Sequence, residues 1–110
     1  MKIKRFLITQ MSLEEFAKEN DLTLELHERN FPSESNMRYY VSFSHVEVKD
    51  GGCLVGSHGN GSTENNAIDD YIQQITMKTI VISAMNPQKR REIQVPRLLP
   101  YTKECFHDLD

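Results

Sequence analysis

The sequence predicts an α+β fold, with helices packed on one face of an antiparallel sheet. Three observations predict it. Apolar residues recur at helical spacing in two stretches, near 13–19 and 64–77. Between them lie three runs of strand character, 22–28, 38–48 and 53–57. A further pair of runs, 79–85 and 91–95, follows the second helix around the turn Asn86-Pro87-Gln88. The predicted order is α-β-β-β-α, then a C-terminal β-hairpin and a short tail. At 110 residues and 38% hydrophobic content, one core of ordinary size suffices. A single domain over 1–100 and a tail over 101–110 are expected.

Each element has a local reason. Residues 2–9 alternate weakly and suit an edge strand or an arm. Ser12-Leu13-Glu14-Glu15 is a capping box, with Met11 and Phe16 placed as a hydrophobic staple. The helix it opens presents Leu13, Phe16 and Ala17 on one side and ends at Asn20-Asp21. Leu22 to Glu28 alternates leucine with polar residues, as a half-buried strand does. The segment 30–36 has the chemistry of a loop.

From Arg38 to Val48, Tyr39, Val41 and Phe43 share one face, whereas Val46 and Val48 fall on the other. Strand faces alternate with period two, so this change of phase demands a bulge or bend near Ser44-His45. Lys49-Asp50-Gly51-Gly52 is a hairpin turn, and Cys53 to Ser57 returns as a strand with Cys53 as a small core residue. Gly56 to Ser62 is predicted to be a tight connection that needs glycine's positive φ. Ser62 or Thr63 caps the second helix. Ala67, Ile68, Tyr71, Ile72 and Ile75 form its buried stripe, while Asp69, Asp70, Gln73 and Gln74 are expected to face water. Pro96 and Pro100 stop regular structure, and the tail docks through Leu98, Leu99 and Tyr101.

Charge narrows the function classes. The net charge of −3 argues against wholesale electrostatic binding of nucleic acid. Acids crowd 12–34, whereas Lys89, Arg90, Arg91 and Arg97 crowd 86–98. No apolar run is long enough for a membrane helix, and the basic N-terminus precedes too short an apolar run for a signal peptide. Two cysteines, Cys53 and Cys105, do not make a disulfide framework, which suits a reducing cytoplasm.

The chemistry-bearing motifs exclude more than they assign. The glycine loop has no lysine and no Walker spacing, and Gly59-Asn60-Gly61 has no third glycine for a dinucleotide site. Cys53, His58, Cys105 and His107 do not have the paired spacing of a zinc site. A Cys53–His58 nucleophile has no orienting carboxylate in the pattern. No catalytic residue, metal or cofactor is therefore expected, and His27 and His45 read as ordinary strand residues. The binding candidates are Lys89, Arg90 and Arg91 on the hairpin, Tyr40 on the outer strand face, and His58 and Asn60 in the glycine loop.

The α-β-β-β-α order, with the glycine loop opening the second helix, resembles the double-stranded-RNA-binding domain over about residues 12–77. That family places lysines at the helix start, but Glu64, Asn65 and Ile68 stand at those positions here. The resemblance implies the fold more than RNA binding. The Tyr39-Tyr40-Val41-Ser42-Phe43 strand and Gly59-Asn60-Gly61-Ser62-Thr63 are also similar to antitoxins of the HicB kind, and the general look is that of small phage proteins.

The sequence reading is a non-enzymatic protein-binding module, a phage-like accessory protein acting as inhibitor or adaptor of a host protein. The alternative is a nucleic-acid-binding domain using the helix N-terminus near Thr63 and Lys89–Arg91. Homodimerisation through an edge strand, 2–9 or 91–95, is compatible with both, and no membrane partner is expected.

Overall fold

The computed structural model describes residues 1–3, 10–31, 34 and 37–101. The predicted 2–9 arm lies mostly outside them, as do the tail beyond Tyr101, Cys105 and His107. The chain is mixed α+β, in the order β1 (Gln10–Met11), α1 (Leu13–Asn20), β2 (Leu24–Glu28), β3 (Tyr39–Phe43), β4 (Val46–Asp50), β5 (Cys53–Val55), β6 (Gly59–Gly61), α2 (Glu64–Ile75), β7 (Thr79–Ile82), β8 (Arg91–Gln94) and β9 (Arg97–Leu98). Among the described residues no helix is long and apolar enough to cross a membrane.

The strands form two antiparallel sheets, β2-β3-β6 and β5-β4-β7-β8, and β1 pairs parallel with β9. The change of phase at Ser44-His45 is where one sheet gives way to the other. His45 turns there with φ 60°, so Val41 and Phe43 are buried from the first sheet and Val46 and Val48 from the second. The third strand of the first sheet is therefore not 53–57 as expected. The β4–β5 hairpin leaves that sheet, and its place beside β3 is taken by the glycines, with Tyr39 opposite Gly61 and Val41 opposite Gly59. The C-terminal hairpin joins the second sheet through Glu47 opposite Val81. Nor do the prolines end regular structure at Pro96, because β9 follows it with Leu98 buried.

Both sheets and both helices close on one core. It holds Leu13 and Phe16 of α1, Val41 and Phe43 of β3, Val46 and Val48 of β4, Ala67, Tyr71, Ile72 and Ile75 of α2, and Ile80 and Ile82 of β7. The helices start as their caps dictate. Ser12 Oγ accepts from the Glu15 amide and Thr63 Oγ1 from the Asn66 amide, each at 3.1 Å. Helix α1 ends on Asp21 in the left-handed region, φ 55°.

Glycines 59 and 61 are not turn residues. Gly51, in the β4–β5 turn, is the described glycine with positive φ. Gly59 and Gly61 are buried strand residues on which α2 rests. A Cβ on Gly59 would lie 2.2 Å from the Ala67 carbonyl oxygen, and one on Gly61 2.4 Å from the Ala67 nitrogen. Here the absence of a side chain matters, not freedom of rotation.

The outer edge of β6 is covered by α2 as well. Asp70 Oδ2 accepts from the Asn60 amide at 2.8 Å, and Gln74 Nε2 donates to the His58 carbonyl at 2.7 Å. Asp69 Oδ1 accepts from the Tyr101 amide at 2.7 Å. Three of the four α2 side chains expected to face water thus bond backbone, because an edge strand and an incoming chain need partners for their amides. Cys53 is exposed opposite Asp50 rather than in the core, since the hairpin carrying it projects from the second sheet.

Candidate functional site

The outer face of the β2-β3-β6 sheet gathers a polar aromatic cluster. The register sets His27 opposite Tyr40 and Tyr40 opposite Asn60, so three strands bring two rings and an amide into one row. The His27 and Tyr40 rings stack with centroids 4.7 Å apart and planes 14° from parallel. The His58 ring meets Tyr40 edge-on at 5.7 Å. Arg29, two residues beyond His27 and so on the same face, puts its guanidinium 4.1 Å from the centre of the Tyr40 ring. It is held there by Nη1, which donates to the Met37 carbonyl at 2.6 Å and to Asn60 Oδ1 at 3.2 Å.

The structure thus brings Tyr40, His58 and Asn60 together, and adds His27 and Arg29. Sequence reasoning passed over those two. The i, i+2 spacing put them on one face of a strand, but only the cross-strand register reveals that the face is Tyr40's.

Beyond this cluster the surface descends into a groove of about 610 Å³ between the two sheets, lined by Glu25, Ser42, Ser44, His45, His58 and Lys89 among others. Two lining residues, His45 (φ 60°) and Ser83 (φ 53°), adopt the left-handed region, which side chains other than glycine's disfavour. His45 is thus a turn residue rather than a strand residue. The Ser44 hydroxyl, and then His27, hold the Glu25 carboxyl below the usual carboxylate range. The groove is open and mixed in polarity.

The basic run Lys89-Arg90-Arg91 is exposed, and its three side chains are divided among different neighbours. Arg91 Nη2 donates to the Asn20 carbonyl at 2.9 Å, placing its charge on the C-terminal end of α1. Arg90 lies 3.9 Å from Glu92, whose carboxyl is held low chiefly by Lys49 Nζ at 2.9 Å. Lys89 lines the groove. Replacing Arg91 with methionine is therefore expected to lower stability by about 0.3–1 kcal/mol through lost capping. Urea unfolding would show it, and unchanged stability would mean that Arg91 serves something other than α1.

His58 packs on Tyr40 beside the first sheet, while Cys53 belongs to the second, so the two do not share a site. Among the described residues no group of three or more His, Cys, Asp or Glu side chains is placed to hold a metal ion. Comparison with known protein families, with curated proteins and with solved structures finds no match for this chain.

Proposed function

We propose that this chain is a non-enzymatic protein-binding module, an adaptor or inhibitor that uses the His27–Tyr40–His58 face and the adjoining groove. The observation that carries the reading is that this cluster is positioned by three strands and tied by Arg29, yet contributes nothing to the core. Tyrosine and arginine are the residues that anchor protein interfaces, and a preordered anchor loses little freedom on binding.

The nucleic-acid alternative draws less support. Stacked bases need a free aromatic face, whereas the Tyr40 ring is already engaged by His27 and Arg29. Phosphates need free cations, whereas Arg90 and Arg91 are engaged within the fold. At the start of α2, Glu64 stands where phosphate would approach. The likeness to the double-stranded-RNA-binding domain is supported only by the order α1-β2-β3-β6-α2 around a three-stranded sheet, with the β4–β5 hairpin inserted.

The test is affinity capture on the immobilised chain from nuclease-treated lysate, repeated with Tyr40→Ala. One stoichiometric protein, bound at least about tenfold more weakly by the variant, is the expected result for a loss of about 1.4 kcal/mol or more. Equal capture by the variant, or recovery of nucleic acid with proteins lost on digestion, would sink the reading.

A further inference from the structure

Four strand edges bound the two main sheets, and they are not managed alike. The edge of β6 is covered by Asp70 and Gln74. That of β8 runs into Pro96 and lies beside the end of α1, to which Arg91 reaches. β5 is three residues long. β2 is different: five residues, with β3 its one partner among the described residues.

The ladder fixes what this edge offers. The Arg29 amide donates to Arg38 and the Ser44 amide to Thr23, so Thr23, Glu25, His27 and Arg29 turn their backbone groups toward β3. Leu24, Leu26 and Glu28 therefore turn theirs outward. Leu26 is 42% exposed although it faces the same side as buried Val41. An open strand of this length with an apolar centre is a template for another strand.

We infer that the strand it accepts is the β2 of a second copy, paired antiparallel about a two-fold axis through Leu26. In the sequence Leu24-Glu25-Leu26-His27-Glu28, Glu25 and His27 complement one another about that centre. The outward-facing residues fall opposite one another, Leu26 on its twin and Leu24 on Glu28, which is the requirement for the antiparallel hydrogen-bonded pairs. Glu25 falls opposite His27 of the other copy, in the closer non-hydrogen-bonded pair, and the reciprocal pair lies beside it. Within one chain Glu25 Oε2 already approaches His27 Nε2 at 3.4 Å. On the joined face the four side chains alternate carboxylate and imidazole at the corners of a square. Two three-stranded sheets become one of six, and the two His27–Tyr40 clusters come to lie either side of the seam.

The edge, not the face, carries this inference, and it is tested on purified protein without any partner. Sedimentation equilibrium across a wide concentration range should show a monomer–dimer equilibrium. His27→Glu crowds four carboxylates onto the seam and should weaken the dimer about tenfold, that is about 1.4 kcal/mol. Adding Glu25→Lys to that variant sets a lysine opposite each introduced glutamate and should restore the affinity. Leu26→Pro removes the central outward donor while β2's own bonds to β3 are made by its neighbours, and should give a monomer. A wild-type chain monomeric throughout would overturn the inference and leave the edge to a foreign strand. So would a dimer indifferent to His27→Glu, or a double variant as weak as the single.

Discussion

Gly59→Ala is expected to remove a large part of the stability of this protein. The added methyl would lie 2.2 Å from the Ala67 carbonyl oxygen, 2.4 Å from the Tyr71 nitrogen and 2.5 Å from the Tyr71 Cβ. Two of these atoms are helix backbone, which has no rotamer to change. Relief requires α2 to lift from β6, and that movement opens the core around Ala67 and Tyr71, which are 0% and 1% exposed. Overpacking of a core against adjustable side chains costs about 1–3 kcal/mol, and here the obstacle is rigid, so about 3 kcal/mol or more is expected. Gly61→Ala meets the Ala67 nitrogen at 2.4 Å and should behave alike. Gly56 has nothing within 4 Å, so Gly56→Ala is the control and should be neutral or stabilising by up to about 1 kcal/mol. Urea unfolding of the three variants checks this. A loss below about 1 kcal/mol at Gly59 would show that the helix yields more readily than its packing implies.

The second large effect is expected at Tyr71. Its hydroxyl accepts from the Phe43 amide at 3.1 Å in a buried site. Phe43 lies on β3 just past the last residue that β6 reaches, Val41 opposite Gly59, so a tyrosine side chain substitutes for the missing strand. Tyr71→Phe leaves that amide buried without an acceptor, for an expected loss of about 1–3 kcal/mol.

Alkaline pH provides an independent reading of the same residue. Burial pushes the Tyr71 hydroxyl up to about 12, with the Phe43 amide pulling slightly the other way. The folded value stands above the unfolded one of about 10. This contribution is accordingly complete below about pH 10 and is lost as pH rises toward 12, on the order of 3 kcal/mol in all. The urea midpoint of the wild type should fall more between about pH 9 and about pH 11 than that of Tyr71→Phe. Equal slopes would mean that the Tyr71 hydroxyl titrates alike in the folded and unfolded chain.

Local signals were legible in proportion to how local their cause is. The Ser12 cap, the α2 cap (Thr63 of the two candidates), the buried stripe of α2 and the turn at Gly51 depend on residues close in sequence, and each stands where the pattern put it. The break at Ser44-His45 was also readable, because two faces of one run cannot both be buried in a single sheet. What the break accomplishes was not. That the chain changes sheets there depends on Gly59–Gly61 displacing 53–57 from beside β3, and a three-residue strand containing two glycines carries no strand signal. The candidate site divides the same way. Tyr40, His58 and Asn60 were singled out separately, but their meeting, and the inclusion of His27 and Arg29, follow from cross-strand register. The scattering of Lys89, Arg90 and Arg91 follows from Asn20 and Glu92, of which the first is remote in sequence.

The parallel pairing of β1 with β9 has a mechanical side. Gln10 lies against Arg97 and Met11 against Leu98, and the Leu99 amide reaches the Met11 carbonyl at 3.0 Å. Chain enters this pair at Gln10 and leaves it after Leu98, from opposite ends because the strands run the same way. Tension drawn along the polypeptide from both sides therefore slides the two strands past each other and loads their bonds together, where an antiparallel closure would part them one at a time. That short seam, with Leu98 buried beneath it, is therefore the first contact such tension loads.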